Sequence, residues 1–206
     1  MTRACELVAE HGLAALSMRS VADALGSTPM ALYHHVRDRA ELARLVVDHV
    51  LAQLELPGSE LDAVEWLREV AVRVRALAAR YPGVMELLLD EGPSVRSALV
   101  VLDRTVSRLH ASGVDWAEAT DLHNTFFSWL AGTLRREERW RTLIAADPRA
   151  VPGYVSVAES LAGELPGLAK ALPRIRETDT ELVFATSLEI MLSGVQSAID
   201  RARTGR

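Results

Sequence analysis

Cysteine, lysine, aromatic residues and long apolar runs are what this 206-residue chain has least of. A single cysteine, Cys5, excludes an internal disulfide framework and suits a reducing cytosol. Aromatics make up 5% of the residues, β-branched runs are short, and neither strand alternation nor an internal repeat is visible, which argues against a sheet protein. No apolar run approaches the ~20 residues that span a bilayer. The start carries Arg3, Glu6 and Glu10 rather than an apolar signal region, so a soluble cytoplasmic protein is expected. No metal-ligand cluster, phosphate loop, nucleophile motif or pair of carboxylates at metal spacing appears. The expectation is therefore no catalysis, no cofactor and no metal. Lys170 is the only lysine among 23 basic residues, and the net charge is −5. That balance excludes coating a polyanion by bulk charge but leaves local arginine contacts open.

What is present is Ala, Leu and Val at helical spacing, with Gly and Pro as punctuation. The pattern predicts an all-α protein of about nine to ten helices. A first helix ends at His11, with Gly12 as a left-handed C′ residue. Ser17 caps a second helix that buries Met18, Val21, Ala22 and Leu25 at i, i+3, i+4 and i+7. Gly26 closes it. Thr28 caps a third helix, Pro29–Val36, with Pro29 at its first position and Leu32 and Val36 pointing inward. Asp38 and Glu41 form a D-x-x-E capping box for a fourth helix, Arg39 to about Leu54. Its expected inner stripe is Leu42, Leu45, Val46, His49 and Val50. Pro57-Gly58-Ser59 is the clearest break. It divides a head, residues 1–56, from a body, residues 57–206.

The body continues as helices over Leu61–Arg80, Val84–Asp90 and Ser94–Ala111. A second capping box, Asp115 and Glu118, opens a long helix from Trp116 to about Ile144. A helix over Val155–Leu165 follows, then a stretch containing Pro166 and Pro173. A last helix is expected to be capped by Thr178 and Glu181 and to run to about Arg203.

Two short capped helices joined at a glycine, over about 17–36, form a helix-turn-helix, in which the second helix enters the major groove. The residues Gly12, Leu16-Ser17-Met18-Arg19, Val21-Ala22, Leu25-Gly26, Pro29, Leu32-Tyr33, His35-Val36, Arg39 and Leu42 resemble the tetracycline-repressor (TetR) family of bacterial regulators. The likeness covers residues 1 to about 51; beyond residue 60 it is one of helix order only. It implies a helix-turn-helix head, a helical body for effector binding and dimerisation, and a repressor that a small molecule releases from a palindromic operator.

Carried onto this sequence, the resemblance implies that Arg19 reads a base and that Ser17, Thr28 and Pro29 lie at helix starts near phosphates. Tyr33 and His35 position the backbone, and Arg39 takes the place of a phosphate-binding lysine. Met30, Ala31 and His34 hold the variable reading positions, where small or apolar groups suit thymine methyls. Neighbours His34 and His35 point about 100° apart on a helix, which argues against a metal pair. The first fifty residues hold five basic side chains (Arg3, Arg19, Arg37, Arg39, Arg44) against six acidic ones (Glu6, Glu10, Asp23, Asp38, Glu41, Asp48), so a basic arm is missing.

The implied partners are double-stranded DNA, a second copy of the chain joined through the last two long helices with Gly194 permitting close approach, and an unknown effector. No membrane partner is expected. Candidate pocket residues are Met85, Leu88, Leu102, Val106, His110, His123 and Phe127, with His123 beside Phe126-Phe127 as the best polar group in apolar surroundings. The competing readings are a helical-bundle enzyme and an interaction module with no DNA role.

Overall fold

The computed structural model describes residues 1–147, 153–177 and 179–204. Among them it forms eleven α-helices, one 3-10 turn and no strand. The head comprises α1 (Thr2–His11), the 3-10 turn Leu13–Ala15, α2 (Met18–Ala24), α3 (Pro29–Tyr33) and α4 (Arg39–Leu51). The body comprises α5 (Ala63–Arg80), α6 (Val84–Glu91), α7 (Arg96–Ala111), α8 (Trp116–Ala146), α9 (Tyr154–Leu161), α10 (Pro166–Arg176) and α11 (Thr180–Thr204).

Local chemistry sets most of the helix starts. Ser17 accepts from the Ser20 N–H while Ser20 Oγ accepts from the Ser17 N–H, a reciprocal pair that frees α2 of two orphan donors. Thr28 Oγ1 accepts from the Ala31 N–H, with Pro29 at the first helical position. Asp38, Asp62 and Asp115 cap α4, α5 and α8 through their carboxylates. Between α2 and α3, the Ser27 N–H reaches back to the Ala22 carbonyl at 2.9 Å. That closure needs Gly26 in the left-handed region at φ 61°.

One apolar core runs from α1 to α11. Val46, Val47 and Val50 of α4 are fully buried in it, as is Val70 of α5, so α4 belongs to head and body alike. Ser97 of α7 donates to Asp48 through its N–H at 2.7 Å and its hydroxyl at 3.1 Å. Arg44 pairs with Glu91 of α6 at 2.6 Å. The break at Pro57-Gly58-Ser59 is tied down: Trp66 Nε1 donates to the Pro57 carbonyl at 3.1 Å, and Arg108 donates to Gly58 and Leu61.

Several expectations give way. Leu25 is 51% exposed, because α2 stops at Ala24 and the chain turns before another inward position is reached. Gly12 has positive φ but ψ 162°, so it extends the chain into the 3-10 turn rather than capping α1 in the left-handed form. α3 is five residues long and ends at Tyr33; α4 ends at Leu51. Leu45 and His49 face outward, while Ala43 and Val47 take the inner stripe. The Asp38–Glu41 box is only half made, since Glu41 accepts instead from the Arg37 N–H at 2.6 Å.

In the body, α7 begins at Arg96 and α9 spans Tyr154–Leu161. The proline-containing stretch is itself a helix, α10, with Pro166 in its first turn and Pro173 inside it. Thr178, expected to cap the last helix, lies outside the described residues; Asp179 accepts from the Glu181 and Leu182 N–H groups. Finally, α11 contains an 18-residue stretch of mean hydropathy 1.5, long and apolar enough by length and composition to cross a membrane. No such run was expected. A third of it is buried, through residues such as Phe184, Leu188 and Leu192 packed toward α5 and α8.

Candidate nucleic-acid interface and body cleft

The helix-turn-helix presents a continuous outer surface. Met30 is 71% exposed and Tyr33 52% exposed on α3, and Thr28, Pro29, His34 and His35 are exposed beside them. Ala31 is half-buried. Arg19 stands on the outer side of α2 in a loose 3.8 Å pair with Asp23. Ser17 is half-buried, its oxygen occupied by the cap. Thr28 Oγ1 also accepts, so its hydroxyl proton is left to donate outward.

Arg39 departs from its expected place as a free cation. Its Nε donates to the Leu16 carbonyl at 2.7 Å, and its Nη2 donates to the Leu13 and Ala14 carbonyls at 3.3 and 3.2 Å. A guanidinium presents several N–H groups in one plane, and here the fork clamps the 3-10 turn to the start of α4. The other basic residues of the head are also engaged: Arg3 with Glu6, Arg37 with Glu41 and Arg44 with Glu91. Each of the five head arginines therefore has an internal partner.

None of the seven candidate pocket residues lines the cleft along α8 or the small one between α1 and Tyr81. Met85 and Val106 are buried core, while Leu88, Leu102 and Phe127 pack against that core. His110 stands in the last turn of α7, where its Nδ1 lies 2.9 Å from the Val114 carbonyl and its ring stacks on Trp116 at 3.9 Å. His123 is only 6% exposed and tilts against Phe127 at 4.5 Å. Its Nδ1 is buried without a hydrogen-bond partner, and burial pulls its pKa down to about 4.

A cleft of about 1230 Å³ lies elsewhere, along the second half of α8 and bordered by α6, α9, α10 and the start of α11. None of the seven residues lines it. Trp140, Leu143, Tyr154, Ile175 and Val183 supply apolar surface, and charged groups from α8 and α10 the rest. The sequence pattern missed it because its walls come from the polar half of α8 and from α10, a helix hidden behind two prolines. The signal available was Arg135, Arg136 and Arg139 clustered around Trp140.

Against known proteins, residues 1–46 match the family model for bacterial regulatory proteins of the tetR family, and residues 56–199 match the tetracyclin repressor-like C-terminal domain. The chain belongs to the TetR family. It is a helix-turn-helix transcriptional regulator, as the family is. A relative described as an HTH-type transcriptional regulator, from Saccharopolyspora erythraea, is 24% identical over 177 residues, which are 84% of this chain and 73% of that protein. Apo ActR from Streptomyces coelicolor has 26% identity and a TM-score of 0.80, covering 96% of this chain and 95% of its own. ActR with (S)-DNPA gives 25% identity and the same TM-score and coverage. BioQ of Mycobacterium smegmatis, at 21% identity and a TM-score of 0.73 over 96% and 95% of the two chains, shares the TetR fold.

Proposed function

We propose that this chain binds a palindromic operator as a homodimer and represses until an effector enters the α8 cleft. The observation that carries DNA reading is the α3 surface. Met30 and Tyr33 are large apolar side chains held in water by a doubly capped helix-turn-helix, where a core would have buried them. Arg19 supplies a planar donor pair for guanine, and Met30 and Ala31 supply contact for thymine methyls, favouring sites with A·T steps. His34 shares the variable reading face, and Ser17, Thr28, Pro29, Tyr33 and His35 then orient the head on the backbone. With the head arginines internally engaged, few phosphates are neutralised, so the salt dependence is shallow and affinity relies on two heads.

The dimer is supported by α8 and α11. Gly132 and Gly194 are exposed in mid-helix, and a Cβ at either would meet nothing within 4 Å in this subunit. A helix-interior glycine costs about 1 kcal/mol relative to alanine; close approach of another chain gives that cost a purpose. Two heads related by a twofold axis must lie about 34–36 Å apart to meet successive major grooves. An effector acts by binding better to a spacing that misses them. ActR is solved with (S)-DNPA and with actinorhodin, which supports a ligand-responsive body here. No catalytic role is assigned, and the site of action is the cytoplasm, with the DNA.

The test is fluorescence anisotropy with duplexes from the gene's upstream region against random duplex. Upstream binding at least ~100-fold tighter than random is expected. Equal binding to both would sink operator recognition. Arg19→Ala should flatten the preference between operator bases; a uniform loss on every duplex would remove its reading role.

A further inference from the structure

Most of the described arginines are engaged, which makes the exceptions informative. Among the described arginines, only Arg96, Arg104, Arg135, Arg136 and Arg139 have no ion pair, hydrogen bond or ring contact within the chain. Three of these five stand together on the wall of the α8 cleft. Arg135 and Arg139 are four residues apart, a spacing at which like charges on a helix repel.

Four of the five acidic residues described on the same cleft are already committed. Glu137 is held by Arg75 at 2.9 Å and by Arg141 at 3.1 Å. Glu138 accepts from the Gly83 N–H, and Asp179 caps α11. Glu177 lies 3.9 Å from Arg174. That leaves three uncommitted guanidinium groups against one uncommitted carboxylate, Glu86. Much of the remaining wall, apart from Arg174 and three threonines, is apolar and partly aromatic: the Trp140 indole, half-buried, and the Tyr154 ring, exposed. At about 1230 Å³ the cleft exceeds the roughly 300–1,000 Å³ usual for small-molecule sites.

Resting on the reading of this cleft as the effector site, we propose that its ligand is a flat organic anion, an aromatic or conjugated carboxylate or phenolate. Its apolar body lies against Trp140 and Tyr154, and its negative charge is met by Arg135, Arg136 and Arg139. Guanidinium is suited to both halves of such a molecule. It binds carboxylate through two parallel N–H donors, and its own weakly hydrated plane tolerates an aromatic neighbour. A neutral or cationic ligand would leave the arginine repulsion in place; an anion relieves it.

The test uses the full-length protein and calorimetric titration with 2-naphthoate, its uncharged isostere 2-naphthamide, a 2-naphthylmethylammonium salt and inorganic phosphate. The carboxylate should bind about tenfold or more tighter than the amide, a step of about 1.4 kcal/mol. The double variant Arg135→Gln/Arg139→Gln should bring the carboxylate down to the affinity of the amide, while Arg104→Gln leaves it unchanged. Amide or ammonium binding as tight as carboxylate overturns the anion class. Phosphate binding as tightly as naphthoate overturns the aromatic part. Binding of none of the four at millimolar concentration overturns the site. Anisotropy of the operator complex with each probe separates the two levels. An amide that releases DNA keeps the effector reading and removes the anion; a naphthoate that binds without moving DNA keeps the anion site and removes the effector reading.

Discussion

The carboxylate of Glu138, on the cleft wall, accepts a hydrogen bond from the Gly83 backbone N–H at 3.1 Å. Gly83 sits in the left-handed region at φ 87°, and a Cβ there would come within 2.9 Å of Leu13 Cβ in the head. One residue earlier, the Pro82 carbonyl accepts from the Leu13 N–H at 2.8 Å. The Leu13 carbonyl in turn meets Arg39. A cleft residue and the turn that precedes the helix-turn-helix are thus joined by two hydrogen bonds through the adjacent residues Pro82 and Gly83.

Removing Glu138 should loosen that turn without touching the DNA surface. In Glu138→Ala, amide hydrogen exchange over residues 12–18 should rise about tenfold, as expected for loss of a charged hydrogen bond at a half-buried site. Glu86→Ala, on the same cleft, should leave it unchanged. Equal exchange in both variants would mean that the contact carries nothing to the head.

Arg39 is expected to act on stability as well as on DNA. Arg39→Ala takes a donor from the Ala14 and Leu16 carbonyls, and one of two from Leu13, and should cost about 1–2 kcal/mol in urea unfolding. Arg37→Ala, an exposed arginine paired only with Glu41, should keep the parent's urea midpoint. Were Arg39→Ala to weaken duplex binding with unfolding unchanged, the clamp would be incidental and a phosphate contact primary.

Ile190 is 66% exposed on α11, four residues before Gly194. An apolar side chain so placed belongs under a partner subunit. Ile190→Glu should shift sedimentation toward monomer and cut operator affinity by at least ~100-fold, because one head then meets one half-site. Monomer in the parent chain at micromolar concentration would exclude the α8–α11 dimer.

His123 makes stability depend on pH in one window. The buried ring has its pKa lowered to about 4 from 6.5, so the folded chain stays neutral there while the unfolded chain takes up a proton. Stability is unaffected by this group above about pH 6.5. It falls as pH drops through the window and levels off below about pH 4, for a total of about 3 kcal/mol at 1.4 kcal/mol per unit. His123→Phe should flatten that part of the profile in chemical unfolding at pH 7, 5.5 and 4.5. An unchanged slope would place the proton elsewhere. Glu41, Glu91 and Glu189, whose pKa values are lowered by their arginine partners, titrate below 4.5 and so contribute in a separate, more acid range.

The head was largely legible because its information is local. Ser17, Thr28-Pro29 and Asp38 declare helix starts, Gly26 declares the turn, and their spacing is the motif. The head missed its predicted form where a side chain answers to something distant. Leu25 follows the helical period yet lies beyond the last turn of α2, and Arg39 reads as a surface cation until the Leu13, Ala14 and Leu16 carbonyls arrive from 23 to 26 residues away. The body was legible as helices but not as a site. His110 and His123 look alike in sequence, a polar ring among apolar neighbours. One sits at the end of α7 with a hydrogen-bond partner for its Nδ1, and the other in the core without one.

Helix positions, caps and family membership were therefore decided by the sequence itself, since each depends on residues within one or two turns of one another. The tertiary structure decided which arginines are spent and which are left over. A guanidinium finds its partner by distance in space, and neither the engagement of Arg39 nor the vacancy of Arg135, Arg136 and Arg139 follows from any spacing along the chain.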